Sequence, residues 1–172
     1  MMVNAGKSSS AGVEVALRGS AFNDRLSWSA TYGYAYSTFR QYTDSLADGT
    51  TDNHRGNYVP FVPKHTFSAA ADYSIPVSET ALLRSLTIGA NVNGNGRIYW
   101  DAANKHSQPL YATLGAHVLL DFNLVKLNLW ARNITDTRYN TFLVESSADG
   151  VARTFSQRNN PFQCGVDLSL SF

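Results

Sequence analysis

The stretch Leu26-Ser27-Trp28-Ser29-Ala30-Thr31-Tyr32-Gly33-Tyr34-Ala35-Tyr36-Ser37 decides the fold. Its even positions carry Leu, Trp, Ala and Tyr, and its odd positions carry Ser, Thr, Gly and Ala. Successive side chains of a β-strand point to opposite faces, so a period of two separates a greasy, aromatic face from a small, mostly polar one. A helix would need a period near 3.6, which this stretch lacks.

Working outward, the same split recurs along the chain. Val13, Val15 and Leu17 alternate with Glu14, Ala16 and Arg18, and Phe67, Ala69, Ala71 and Tyr73 alternate with Ser68, Ala70, Asp72 and Ser74. Leu86, Ile88, Ala90 and Val92 oppose Thr87, Gly89, Asn91 and Asn93. Leu110 to Val118 and Val125 to Ala131 repeat the pattern on even and odd positions respectively. Phe162, Cys164, Val166, Leu168, Leu170 and Phe172 close the series. This predicts about seven strands and no helix between them. Several alternations run 10 residues or more. Strands of soluble proteins average ~5–6 residues, whereas a tilted transmembrane strand needs ~9–11.

The connections alternate in length. Short joins are expected at Ser20–Asp24 and Asp121–Leu124 and an intermediate one at Ile75–Arg84, with long joins at Arg40–Pro63, Asp101–Pro109 and about Glu145–Pro161. Tight periplasmic turns and extended outer loops give that pattern in an up-and-down barrel. It requires Asn133–Asp136 to be a kink or bulge inside one long sixth strand; a tight turn there would make eight strands.

Composition agrees. The 172 residues carry 14 Lys+Arg against 13 Asp+Glu, a formal charge of +1, which excludes the basic excess of a nucleic-acid-binding surface. Charged residues are 16% and aromatics 12%, yet mean hydropathy is −0.22. Soluble domains usually carry ~25% charge. A chain poor in charge, rich in rings and still polar suits a sheet with one lipid face and one wet face. Cys164 is the single cysteine, so no intrachain disulfide forms. No run approaches the ~18 apolar residues of a transmembrane helix. Seven strands would also leave two open edges, and backbone groups at an open edge cannot be satisfied in hydrocarbon. Further strands, and the secretion signal, are therefore expected upstream of Met1.

Several segments resemble one family. Trp130-Ala131-Arg132-Asn133-Ile134-Thr135-Asp136-Thr137-Arg138-Tyr139 resembles the Asn-Leu-Phe/Thr-Asp-x-x-Tyr box near the end of TonB-dependent receptors. Asn4-Ala5-Gly6-Lys7 followed by Gly12-Val13-Glu14-Val15 is similar to that family's Asn-Ala-Gly…Gly-Leu-Glu-Leu strand. Val59-Pro60-Phe61-Val62-Pro63-Lys64-His65-Thr66 is similar to its Val-Pro-x-x-Pro-x-His-Thr segment, and Gly96-Arg97-Ile98-Tyr99-Trp100, Gln108-Pro109-Leu110-Tyr111 and the terminal Phe172 also fit. The order is the family's, and the resemblance spans essentially the whole chain.

The resemblance implies an all-β, transmembrane antiparallel up-and-down barrel of 22 strands in the outer membrane of a Gram-negative bacterium, filled by an N-terminal plug. Residues 1–172 would be its last seven strands, with the plug and the earlier strands absent. It implies active uptake of a scarce nutrient (siderophore-iron, haem, cobalamin or glycan), with the lipid bilayer, the TonB complex acting through the plug, the barrel-assembly machinery and a small ligand as partners. It implies no enzyme activity, no cofactor and no nucleic acid. Phe172 with Leu170, Leu168 and Val166 would form the assembly signal, although Leu170 and Asp167 stand where the family usually has an aromatic and a Gly. Asn133, Asp136 and Tyr139 are the motif positions.

Other residues have plainer readings beside the functional ones. Tyr32, Tyr34, Tyr36 and Trp100 could form an aromatic belt at headgroup depth, or stand on a barrel extension above the membrane. His54, His65, His106 and His117 lack metal-ligand spacing, and His54 or His106 reads better as a loop residue than as a haem contact. Asp44, Asp48 and Asp52 read as a solvated acidic loop rather than a calcium site. Gly94 and Gly96 are expected to relieve crowding or form a bulge. Lys126, Arg132 and Asp167 are expected to point inward. A passive porin or adhesin-type barrel, and a soluble carbohydrate-binding β-sandwich, are the competing readings. A plug-like domain upstream would separate the first from a receptor, and solubility without detergent would favour the second.

Overall fold

A computed structural model describes residues 6–45, 49–78, 80–148 and 151–171. All regular structure among them is β. In chain order the strands are β1 (Lys7–Ala21), β2 (Leu26–Gln41), β3 (Thr43–Ser45), β4 (Thr51–Asn53), β5 (His65–Pro76), β6 (Ser85–Asn95), β7 (Ile98–Tyr99), β8 (Ser107–Gln108), β9 (Tyr111–Asp121), β10 (Val125–Arg132), β11 (Asn140–Ala148), β12 (Val151–Arg158) and β13 (Gln163–Leu170). One sheet holds seven of them in the order β1-β2-β5-β6-β9-β10-β13, every neighbouring pair antiparallel and consecutive along the sheet. The sheet is open, with β1 and β13 at its edges. The remaining strands form three two-stranded ribbons, β3–β4, β7–β8 and β11–β12.

All three ribbons lie in connections at one end of the sheet. The connections at the other end are tight. Phe22, Asn23 and Asp24 turn β1 into β2 with φ of 55°, 55° and 62°, and Asn123 at φ 73° turns β9 into β10. The alternation of loop lengths expected from the sequence is therefore real, and so is the count of seven in the main sheet.

Register decides the faces. Partnered residues of antiparallel strands share a face, and a slip of one would invert a strand. Val15 pairs with Tyr32, Tyr32 with Phe67, and Phe67 with Gly94. Ile88 pairs with Tyr73 and with Val118, Val118 with Leu129, and Leu129 with Val166. One apolar face thus runs without inversion from β1 to β13. The opposite face carries cross-strand polar pairs: Ser10–Ser37 at 2.6 Å, Thr31–Ser68 at 2.6 Å and Ser74–Thr87 at 2.8 Å. It also carries Asp72–His117 at 3.4 Å, Lys126–Asp121 at 3.4 Å and Asn128 donating to Asp167 at 3.3 Å.

Nothing among the described residues covers the apolar face. Among the described residues the only buried apolar side chains are Ile98 and Trp100, while Val13, Leu17, Ile88, Val166, Leu168 and Leu170 are exposed. A soluble sandwich would pack those side chains into a shared centre, and this chain does not.

The sixth strand departs from expectation. It is not one long strand with a kink. β10 ends at Arg132, and the chain enters β11 in a separate sheet. Asn133 and Asp136 adopt φ of 49° and 46°, which breaks the extended path. The last outer connection consequently pairs as a ribbon from Asn140 onward, earlier than the loop expected to begin near Glu145.

Candidate functional site

The end of the sheet with the ribbons carries the built features. The first is the motif Asn133, Asp136 and Tyr139, which fastens the β11–β12 ribbon to the wall. Asn133 Oδ1 accepts from the Thr137 N–H at 3.0 Å, and its Nδ2 donates to the carbonyls of Thr137 and Asn160, both at 3.1 Å. The Ile134 N–H donates to the Leu114 carbonyl at 2.8 Å, which ties the turn to β9. Asp136 accepts from the Phe162 N–H at 3.1 Å and from Arg138 at 3.2 Å, and these two donors hold its carboxyl below the ordinary value. Tyr139 stacks on Tyr111 with centroids 3.7 Å apart, and burial together with that neighbour pushes its phenol upward. Asn159, which sequence reasoning did not single out, completes the clip. Its Oδ1 accepts from the Tyr139 N–H at 2.9 Å and its Nδ2 donates to the Thr137 carbonyl at 2.9 Å.

Beneath this ribbon, on the polar face, lies an open cleft of about 490 Å³ whose lining includes Thr113, Arg132, Tyr139, Arg158 and Gln163. The Arg132 guanidinium lies 4.7 Å from the Trp130 ring centre, and that indole in turn occupies the space over Gly165. Trp130 and Arg132 are therefore on the polar face, as the alternation placed them.

The second feature is a cluster of rings on the apolar face. Tyr36 meets Tyr58 edge-on at 5.7 Å, and Tyr58 stacks on Tyr99 at 5.4 Å. Tyr34 lies 5.3 Å from His65, whose Nδ1 is hydrogen-bonded to Tyr32 Oη at 2.8 Å. Lys64 reaches into this cluster, donating to Tyr58 Oη at 3.2 Å, and that hydrogen bond and the surrounding phenols raise its ammonium above the ordinary 10.5. Tyr32 and Tyr36 are exposed. Trp100 is not: it is 7% exposed and packs edge-on against Phe61 at 5.5 Å, which corrects its placement among belt residues. The loop fold that buries it draws β7 and β8 together, a pairing that the sequence pattern did not signal.

The third group is the last strand. Val166, Leu168 and Leu170 face the apolar side at 62%, 64% and 56% exposure and pair with Leu129, Leu127 and Val125. Phe172 lies outside the described residues, as does Asp48. Asp44 and Asp52 pair across β3 and β4. His54 is buried and stacks on Tyr42 at 5.5 Å, and His106 is bonded to Asp101 at 3.2 Å. Gly94 fulfils its expected part, since a Cβ there would strike the Phe67 ring and stand 2.6 Å from the Tyr111 carbonyl oxygen.

The model for the family described as TonB dependent receptor-like, beta-barrel, matches residues 1–134. The chain belongs to the TonB-dependent receptor family. The protein named "Probable TonB-dependent siderophore receptor PiuA" of Acinetobacter baumannii is 32% identical over 142 residues, covering 80% of this chain and 18% of its own length. The pesticin receptor of Yersinia pestis is 26% identical over 166 residues, covering 96% of this chain and 23% of its own length. The crystal structure of the ferric yersiniabactin uptake receptor FyuA from Yersinia pestis superposes with a TM-score of 0.78 at 25% identity, over 98% of this chain and 24% of that one. The chain therefore spans about a fifth to a quarter of the length of the relatives it matches. TonB-dependent receptors are outer-membrane receptors and transporters of Gram-negative bacteria, not enzymes, and the open antiparallel sheet is a sector of their barrel fold.

Proposed function

We propose that this chain is the C-terminal wall of a larger outer-membrane receptor that takes up a siderophore-type iron chelate by TonB-dependent transport. The apolar face would meet lipid. The polar face would look into a lumen occupied by a plug, and the plug would carry the contact to the TonB complex. The carrying observation is the register: seven strands share one uncovered apolar face and one polar face, with no inversion. An open edge at both β1 and β13 supports the reading as a sector of a longer barrel, because a sheet in hydrocarbon must close.

Several site readings follow. Val166, Leu168, Leu170 and the terminal Phe172 would form the strand that the barrel-assembly machinery recognises. Asn133, Asp136 and Tyr139 would hold the last outer ribbon over the lumen. Arg132 and Arg158, lining the cleft beneath that ribbon, offer positive charge to an anionic chelate. The relatives named for siderophore reception and ferric yersiniabactin uptake favour iron chelates over glycans or cobalamin.

The test is uptake of radiolabelled ferric siderophore by iron-starved cells that carry the full receptor, with and without a working TonB. Uptake that disappears without TonB is expected. Uptake that persists would mean a passive pore.

A further inference from the structure

On the apolar face, just beyond the last apolar residues of β5 and β6, a cavity of about 240 Å³ is lined by Tyr58, Val62, Lys64, His65, Arg97 and Tyr99. We propose that Lys64 and Arg97, framed by these phenols and His65, bind the phosphate headgroup of a lipid in the outer leaflet. The inference rests on the barrel reading above.

Three observations carry it. The first is position. Along β5 the apolar face runs from Ile75 to Phe67, with Tyr73, Ala71 and Ala69 between. Eight steps of ~3.3 Å at a tilt of ~40° rise about 20 Å, close to the ~25 Å apolar band of such barrels. His65 and Lys64 come next, at the depth where headgroups begin, and at the end of the sheet that carries the long connections. The second is charge. No carboxylate lines the cavity, and among the described residues neither Lys64 nor Arg97 forms an ion pair. Two cations in one pocket repel each other, and an anion between them removes that penalty. The third is geometry. Lys64 and Arg97 are far apart in sequence, and the Lys64 N–H donates to the Arg97 carbonyl at 3.4 Å, which fixes the two residues side by side. Tyr58 and Tyr99 stack at 8° between planes and form a wall, and their hydroxyls and the His65 ring add hydrogen-bonding groups suited to phosphate oxygens. Free phosphate has the same chemistry, but the apolar surface directly below the pocket suits a molecule with tails.

The test uses the full receptor in dodecyl maltoside, titrated with phosphatidic acid, phosphatidylcholine or inorganic phosphate, with bound lipid read by native mass spectrometry. Phosphatidic acid should bind in preference to phosphatidylcholine. Lys64→Gln with Arg97→Gln should weaken that binding at least about tenfold, roughly one charge-assisted contact. Lys64→Arg should keep it. Arg97→Gln alone should also weaken it, and among the described residues this exposed side chain has no bond to lose. Undiminished binding by the double variant overturns the proposal. So does inorganic phosphate that competes at the same concentration as the lipid, since the site would then take a free anion. Heat-modifiability on the same samples separates the two levels: a receptor that never forms a barrel contradicts the underlying reading, whereas a folded receptor indifferent to phosphatidic acid contradicts the site alone.

Discussion

Asn104 pairs with the backbone of Tyr58 as a neighbouring strand would. Its Oδ1 accepts from the Tyr58 N–H at 2.7 Å and its Nδ2 donates to the Tyr58 carbonyl at 2.9 Å. Asn57 Nδ2 adds a bond to the Ala102 carbonyl at 2.9 Å. One amide side chain therefore joins the connection after β2 to the β7–β8 ribbon. Asn104 sits at φ 58°, a conformation that Asn tolerates better than most residues.

Asn104→Gly should keep the backbone path and lose both bonds to Tyr58, together with the 3.1 Å bond from Nδ2 to the Asp101 carbonyl. The cost should be about 1–3 kcal/mol, confined to the loops. Hydrogen exchange checks it: amides of residues 54–62 and 98–108 should exchange faster, while those of β9 and β10 should not change.

Asn133→Asp should be worse than its size suggests. The acceptor for Thr137 survives, but a carboxylate oxygen replaces the donor that faced the Thr137 and Asn160 carbonyls. The two carbonyls keep their bonds from Asn159 Nδ2, but losing both Asn133 donations and setting a carboxylate against two carbonyl oxygens costs about 1–3 kcal/mol. Limited proteolysis should cut β11–β12 sooner in the variant than in the parent. Equal cutting rates would refute the clip.

Acid should loosen the same clip. The Asp136 carboxyl is held below its ordinary value of 3.8, chiefly by the Phe162 N–H and then by Arg138. A depressed value means stabilisation that is complete above 3.8 and lost as pH falls through the folded value. Proteolytic sensitivity of the ribbon should rise below that pH in the parent and be flat in Asp136→Asn, whose amide oxygen can still accept from Phe162.

Two glycines should differ. A Cβ on Gly94 would stand 2.6 Å from the Tyr111 carbonyl oxygen, which cannot retreat without breaking the β6–β9 ladder. A Cβ on Gly89 would first meet the ends of the Asp72 and His117 side chains, which can swing away at the loss of their 3.4 Å contact. Gly94→Ala should therefore lower the melting temperature of the detergent-solubilised receptor more than Gly89→Ala.

The sheet was legible because a period of two is written into every strand, and the register keeps Val15, Tyr32, Phe67, Ile88, Val118, Leu129 and Val166 on the side their alternation assigned. The outer end was less so. Asn133 and Asp136 break the sixth strand through left-handed turns, and a short polar segment gives no periodic warning of that. Asn and Asp three apart at the close of an apolar run were the available cue. The neighbours Lys64 and Arg97 lie just beyond the β5–β6 ladder and are joined by a backbone hydrogen bond, and the burial of Trp100 depends on a ribbon two residues long on each side. Loop contacts of that kind are set by tertiary pairing rather than by local pattern.

The two-faced sheet is tested most directly by Leu129→Arg against Asn128→Arg in the full receptor, read by heat-modifiability on gels. The two positions are adjacent on β10, with Leu129 between Val118 and Val166 and Asn128 between Leu119 and Asp167. Arginine on the lipid face near mid-membrane costs ~2–4 kcal/mol, whereas an arginine beside Asp167 on the wet face gains a partner. The account predicts that Leu129→Arg cripples assembly and Asn128→Arg assembles nearly as the parent does. Equal yields of folded barrel from the two, or the reverse order, would contradict it.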